Sequence, residues 1–389
     1  LNRVLNEFTS DRRLLDFGLR GWKHRRSINF ATWGRLGLSI MPLHPTPPDI
    51  VDNGNFGSSE FEALDRSAGA AGSLGRLRQV EQDGRWRTRY VRAVRGTELV
   101  AAVPVYTSVG NTWPDTAYDP RNWCLPADLV RSLSADRCLV VGGVYDRRSS
   151  LPVRLDDPAG NVHDLLVSAA RIAAAEGRAL IFPYAYGRAC RALDAAADGI
   201  VWTRLARESH FRDIGDQGRL TGSRVRGVLR RDRRLIAAAE LDASVVSWAD
   251  AERVATPLIV EHNLRLGVPD HPEFVKMRYR QWSECADVEL VVFSVAARSV
   301  AGVLTAVVWH DELELHEIGL PECQDAARIA VYLDLVFHQP LDYARRRGLR
   351  HVRAGTEAET PKHSRGAVFE ELFGGVLTID RTNELADAD

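Results

Sequence analysis

The chain has 389 residues with 51 basic and 52 acidic side chains, a formal net charge of −1. No global field therefore draws it to nucleic acid or to a membrane, and any such partner must be met by a local patch. The longest nearly unbroken apolar run, Val300 to Trp309, falls far short of the roughly 20 residues a spanning helix needs. Near the N-terminus Leu1, Leu5, Phe8, Leu14, Leu15 and Leu19 roughly follow helical spacing. Arg3, Glu7, Asp11, Arg12 and Arg13 interrupt them, so no signal-peptide core is present. The prolines of Pro42 to Pro48 and the segment Gly54 to Ser59 then break regular structure. Residues 1–50 are thus predicted to form a helical arm and linker. Cysteines 124, 138, 190, 285 and 323 are odd in number and have no CxxC spacing, which predicts reduced thiols in a cytoplasmic protein, with no disulfide framework and no metal centre.

The body repeats one pattern. In residues 51–214, Arg89 to Arg95 reads as a strand, Gly96 as a turn and Leu99 to Thr107 as a second strand. An aromatic loop, Asn111 to Trp123, follows. Its Trp113, Tyr118 and Trp123, with Asp115, Asp119 and Arg121, would make a stacking pocket for an acceptor molecule or a cover over a hydrophobic edge. Next come a third strand (Arg137 to Val144), a helix (Val162 to Glu176) closed by Gly177, and a short strand (Ala179 to Pro183).

Residues 215–389 open with Arg219, Arg224, Arg226, Arg230, Arg231, Arg233 and Arg234, opposed only by Asp232. Guanidinium forks at roughly helical spacing suit phosphate oxygens, and such a run is equally the pattern of a solvated helix face. The order of elements then recurs: strands Val288 to Ala296 and Val300 to Trp309, a third strand to Gly319, a helix Ala326 to Arg347 closed by Gly348, and a strand Leu349 to Arg353. In Glu312-Leu-Glu-Leu-His-Glu-Ile-Gly319, period-two alternation puts Glu312, Glu314 and His316 on one face and Leu313, Leu315 and Glu317 on the other. Ionisable groups on a central strand are paired, line a cavity, or sit at its exposed start. The predicted class is mixed α/β.

The last sixty residues, a long helix, a short strand and then Ala354-Gly-Thr-Glu-Ala-Glu-Thr-Pro-Lys-His-Ser-Arg-Gly366, resemble the C-terminal half of the GNAT-like acyltransferases of the Fem type. The resemblance implies two GNAT-like domains in tandem, 51–214 and 215–389, each a mixed, mostly antiparallel sheet flanked by helices. It implies an N-acyltransferase that moves an aminoacyl group from aminoacyl-tRNA to the amine of a small peptide-like metabolite or cell-wall precursor, with no cofactor and no membrane insertion. Gly355, Glu357 or Glu359, Lys362, Arg365 and Gly366 fall on the family's Gly–acid–Lys–Arg-Gly turn. Lys362 and Arg365 would then stabilise an oxyanion, and Glu357, Glu359 or His363 would take the amine proton. Glu314 and His316 would serve as base and orienter, and Arg224, Arg226, Arg230, Arg231 and Arg234 would hold donor phosphates. The junction Gly319 to Arg328 lacks the glycine-rich loop with which acetyl-CoA-dependent relatives cradle pyrophosphate. An acyl-CoA enzyme with a non-standard phosphate loop and a non-catalytic binding module remain the alternatives.

Overall fold

A computed structural model describes residues 49–388, apart from 52–55, 58–59, 62–63, 65–66, 150, 155–157, 215–221, 298–299, 324 and 326. The expected N-terminal helix and proline linker, and Arg219, lie outside the described residues. In chain order the strands are β1 (Asp49–Val51), β2 (Trp86–Arg95), β3 (Glu98–Ser108), β4 (Cys138–Val141), β5 (Ala179–Tyr186), β6 (Val201–Arg212), β7 (Asp242–Val246), β8 (Glu289–Ala297), β9 (Val300–Trp309), β10 (Glu312–Gly319), β11 (His351–Arg353) and β12 (Val368–Leu377). The helices that matter here are α1 (Leu74–Glu81), α2 (Pro158–Ala175), α3 (Gly187–Ala196), α4 (Ser223–Ala238), α5 (Trp248–Arg265), α6 (Pro272–Ser283), α7 (Ala327–Leu333) and α8 (Gln339–Arg346).

All twelve strands join one mixed, mostly antiparallel sheet in the order β1-β2-β3-β4-β5-β12-β6-β11-β10-β9-β8-β7. The order reads alike from both ends, β1 to β5 matching β7 to β11. The last strand of each half has crossed over: β12 pairs with β5 of the first half, and β6 pairs with β11 of the second. The two halves thus meet in a single continuous sheet whose centre is the exchanged pair β6 and β12. Only β4–β5 and β10–β11 run parallel, each joined by a right-sized helical crossover. One face is covered by α2 in the first half and by α7 and α8 in the second, over the clusters around Leu139 and Phe182 and around Phe293 and Leu313.

Several local departures have plain causes. The strand predicted over Arg137 to Val144 ends at Val141 because Gly142, at φ 100°, turns the chain away. Strand β5 runs past Pro183 to Tyr186, the proline sitting in a bulge where Tyr184 takes φ 49°. The long helix expected up to Arg347 carries a π turn, Asp334–His338, between α7 and α8. Pro340 follows one residue after it, and a wider turn spares the clash between its ring and the carbonyl four residues earlier. Strand β10 also bulges between Leu315 and Ile318, where the Thr305 hydroxyl bonds both the N–H and the C=O of Glu317 (3.0 and 3.1 Å). That bulge corrects the expected alternation. Glu317 turns onto the face of Glu314 and His316, where it accepts from Tyr279 (2.6 Å) and Arg278, while Leu313, Leu315 and Ile318 keep the opposite face.

Candidate active site

Register places a row of polar groups across the middle of the sheet on one face. Tyr186 on β5 is opposite Leu372 on β12, which is opposite Ala206 on β6; Glu208 and His210 follow on β6; His210 is opposite Arg353 on β11, and Arg353 is opposite Glu314 on β10. Arg148, from the loop after β4, completes the row. Its guanidinium lies 2.6 Å from Glu208 and also bonds Glu314. Arg353 donates to Glu312 (2.6 and 3.2 Å), to the Tyr186 oxygen (3.0 Å) and to Glu208 (3.3 Å). Tyr186 in turn donates to Glu208 at 2.6 Å. Glu208 and Glu314 are fully buried, and Arg148 and Arg353 nearly so.

Charges this far from water persist only when paired and hydrogen-bonded. The two central acids respond differently. For Glu208 burial acts upward, but Arg148, His210 and Arg353 together hold its carboxyl well below the usual range. For Glu314 burial prevails over Arg148 and Arg353 and pushes it up. The Ala70 amide donates to Glu314 from the turn Gly69–Gly72. Gly69, at φ 64°, leaves no room for a Cβ, which would collide with the Glu314 carboxylate. His316 lies 3.9 Å from Glu314 and meets the Trp282 ring edge-on at 4.9 Å. Burial first, then Arg148, Arg76 and Arg278 against the opposing Asp146, pull its pKa down to about 3, so the imidazole is neutral at physiological pH. Asp146 itself holds Arg76 bidentately (2.8 and 3.1 Å), and that guanidinium lies over the Trp282 ring at 4.5 Å.

Lys362 stands just beyond the end of β11 that carries Arg353. Its ammonium donates to the carbonyl oxygens of Ala354, Gly355 (3.4 Å) and Glu357, a cradle made by the turn in which Gly355 (φ 71°) and Ala358 (φ 56°) are both left-handed. Burial draws its pKa down to about 8, against the raising effects of Glu357 and Glu208. The Glu357 carboxylate is on the exposed side of this turn, and Glu359 pairs with Arg207 at 2.8 Å.

The other residues singled out from sequence fall elsewhere. Arg365 gives two of its N–H groups to Asp232 (2.7 and 3.1 Å) and another to the Pro361 carbonyl (2.9 Å), with its plane over Phe337 at 4.4 Å. It fastens α4 to the turn rather than facing the row. Asp232 is the one buried residue of α4. Val225, Val228, Leu229 and Ile236 share its side of the helix, leaving Arg224, Arg226, Arg230, Arg231, Arg233 and Arg234 exposed. The aromatic loop offers no open stacking surface. Trp113, Tyr118 and Trp123 are buried in a core with Trp86, Tyr106 and Tyr184. Tyr118 accepts from the Arg147 amide (2.8 Å), Trp123 donates to the Ala117 carbonyl (3.2 Å), and Gly374 is bare so that the Trp123 ring can pack on β12. The loop is a hydrophobic cover, because two indoles and a phenol bury more favourably than they stand in water.

Sequence reading missed Glu208, Arg148, Arg353 and Tyr186. The alternating Arg204, Ala206, Glu208 and His210 of β6 carried a period-two signal. Nothing local marked Arg148. Among the described residues no cluster of three or more His, Cys, Asp or Glu is arranged to hold a metal ion, and no helix is long and apolar enough to cross a membrane.

No protein-family model matches the sequence, and no curated protein matches it either. Solved structures do match in fold. The crystal structure of FemX superposes with a TM-score of 0.55 at 11% identity, covering 81% of this chain and 94% of that one. A conserved protein of unknown function from Bacteroides thetaiotaomicron superposes with a TM-score of 0.51 at 12% identity, covering 82% of this chain and 95% of that one. The chain thus shares the fold of FemX, in keeping with the resemblance of its C-terminal turn to the Fem type.

Proposed function

We propose that the protein is an N-acyltransferase that moves an aminoacyl group from aminoacyl-tRNA to the amine of a small peptide-like metabolite or cell-wall precursor. The observation that carries this reading is the splay at β10 and β11. Their parallel pairing covers only Glu312–Glu314 and His351–Arg353, after which the chain bonds to β6 instead (Ala354 N–H to Ser209 O, 2.8 Å). The edge of β10 beyond Glu314 is left to receive an extended donor arm, with His316 on its bulge and Lys362 on the opposing chain. A cation and an imidazole beside such a slot would suit an ester donor, whose carbonyl becomes an oxyanion.

In this reading the acceptor amine attacks the donor ester directly. Lys362, with a pKa near 8, swings one N–H from its carbonyl cradle to the oxyanion, while neutral His316 accepts a hydrogen bond that orients the amine, whose proton passes to the departing ester oxygen. A covalent thioester on Cys138, Cys190 or Cys285 is disfavoured, since burial pushes each of these thiols up to about 12. The exposed arginines of α4 meet the donor's phosphates.

The deciding experiment is binding of total bacterial tRNA and of acetyl-CoA at two salt concentrations, by fluorescence anisotropy and thermal shift. Salt-sensitive tRNA binding with no CoA shift is the expected result. A CoA shift without tRNA binding would transfer the donor role to an acyl-CoA, and silence from both would leave a binding module.

A further inference from the structure

A groove of about 640 Å³ opens where β5 ends at Tyr186 and the chain turns into α3. Its size suits a small metabolite. Beyond Tyr186, residues Val368–Glu371 of β12 have no β5 partner, and the groove occupies that gap. Trp202 and Phe373 supply flat apolar walls, the Trp202 indole N–H being fixed to Asp194 at 2.7 Å. The charged lining is of both signs. Arg191 is exposed on α3 and makes no ion pair among the described residues. Glu370 and Glu371 are held only by the exposed Arg212 and Arg204. Exposed pairs of this kind are weak, so either carboxylate exchanges readily to a ligand's ammonium. Tyr186, which lines the groove, hydrogen-bonds Glu208 and Arg353 of the buried row. Tyr186 thus stands between the groove and the buried row.

From this geometry we infer that the groove binds the acceptor, and that the acceptor is a primary amine carrying an anionic group, carboxylate or phosphate, on a body flat or apolar enough to lie against Trp202 and Phe373. The inference rests on the transferase reading for the word acceptor, though not for the site. Arg191 takes the anion, Glu370 or Glu371 takes the ammonium on arrival, and the aromatic walls hold what lies between. In the step this serves, the ammonium first gives one proton to solvent, the amine nitrogen bonds to the acyl carbon, the donor's ester C–O bond breaks, and a second proton passes from nitrogen to the departing oxygen.

Titration calorimetry on the full chain tests it with two pairs of probes: glycyl-phenylalanine against its C-terminal amide, and tyramine phosphate against tyramine. One anionic amine should bind, and which one does so distinguishes the carboxylate from the phosphate source. Its neutral counterpart should bind at least tenfold more weakly. Arg191→Glu, an exposed change that leaves the core untouched, should weaken the anionic probe at least tenfold, and Trp202→Ala should weaken it severalfold. Failure of both anionic probes to bind, or binding indifferent to Arg191→Glu, overturns the site. If binding behaves as expected but no donor of either class yields an amide, the ligand site stands and the transferase reading falls.

Discussion

The two halves use the same parallel strand pair and treat its far end in opposite ways. In the first, β4 parts from β5 after Val141, but the chain loops back. Ser149 bonds the Tyr184 carbonyl (3.2 Å) and the Pro183 carbonyl and bridges Ala185 in parallel, with Asp146 and Arg147 held left-handed to make the return. The loop refills the splay and delivers Arg148 into the central row. In the second half no such return is seen among the described residues after β10, and the chain after β11 goes to β6 and the Lys362 cradle. One copy of the unit has become scaffold, its splay closed and its loop bracing the other half. The second keeps its splay and places titratable groups around it.

If the closed half is scaffold, cutting its brace should damage folding more than any other single change. Glu208→Ala leaves Arg148 and Arg353 buried without their shared carboxylate. Removing one member of a buried charge cluster costs about 3–5 kcal/mol, which urea unfolding would measure against wild type. A loss below about 1 kcal/mol would mean that the row is not what joins the halves. Lys362→Ala tests the open half. It should lower amide-forming turnover by about 10²-fold, the effect of losing one oxyanion donor, while a folded protein persists. Turnover unchanged in a folded variant would remove Lys362 from the mechanism.

The comparison also sets a pH dependence. The folded pKa of His316 is drawn down to about 3, so between that value and the ordinary imidazole pKa of about 6.5 the unfolded chain binds a proton that the native chain refuses. Stability must therefore fall as pH drops through this window. Glu208 adds to it at the acid end: its folded pKa lies below the unfolded one, so its contribution is present above the ordinary carboxylate range and lost as pH falls through its folded value. His316→Asn should flatten the stability–pH curve between about 6.5 and 4.5 relative to wild type, the other groups that titrate there being common to both proteins. An unaltered slope would show that the imidazole is solvated. Gly69→Ala should then cost a smaller amount, more than about 1 kcal/mol, through its left-handed φ and the clash with Glu314.

Much of the fold was legible because it is local. The hairpins β2–β3 and β8–β9 were marked by apolar runs around short turns, and Gly177 and Gly348 marked the helix ends. The exchange of β6 and β12 was not, because pairing partners such as Glu208 and Glu370 are over 160 residues apart and neither strand carries its address. For the same reason Glu314 and the turn at Lys362 were singled out in the sequence, and Arg148, Glu208 and Arg353 beside them were not. A turn is a stretch of sequence, whereas Arg148, Glu208, Glu314 and Arg353 become neighbours only after the sheet has closed. The parity of Glu317 failed to a bulge set by the hydroxyl of Thr305 on the neighbouring strand.

The smallest expected effect on stability bears on the exposed helix of the open half. Helix α4 is fastened by its buried ion pair, Asp232 to Arg365, and by Ile236 against the core, while Arg230 and Arg234 are exposed. Reversing Arg230 and Arg234 to Glu should therefore change unfolding free energy by no more than about 0.5 kcal/mol. If the helix meets donor phosphates, the same pair of changes should weaken tRNA binding and flatten its salt dependence by the counterions those two cations would release. The two measurements separate the roles: a stability loss would make α4 part of the scaffold, and an unaltered salt slope in a stable variant would make it a solvated face. Only a silent fold with a flattened slope assigns the arginines to the donor, leaving Asp232 and Arg365 as the link from that surface to the Lys362 turn.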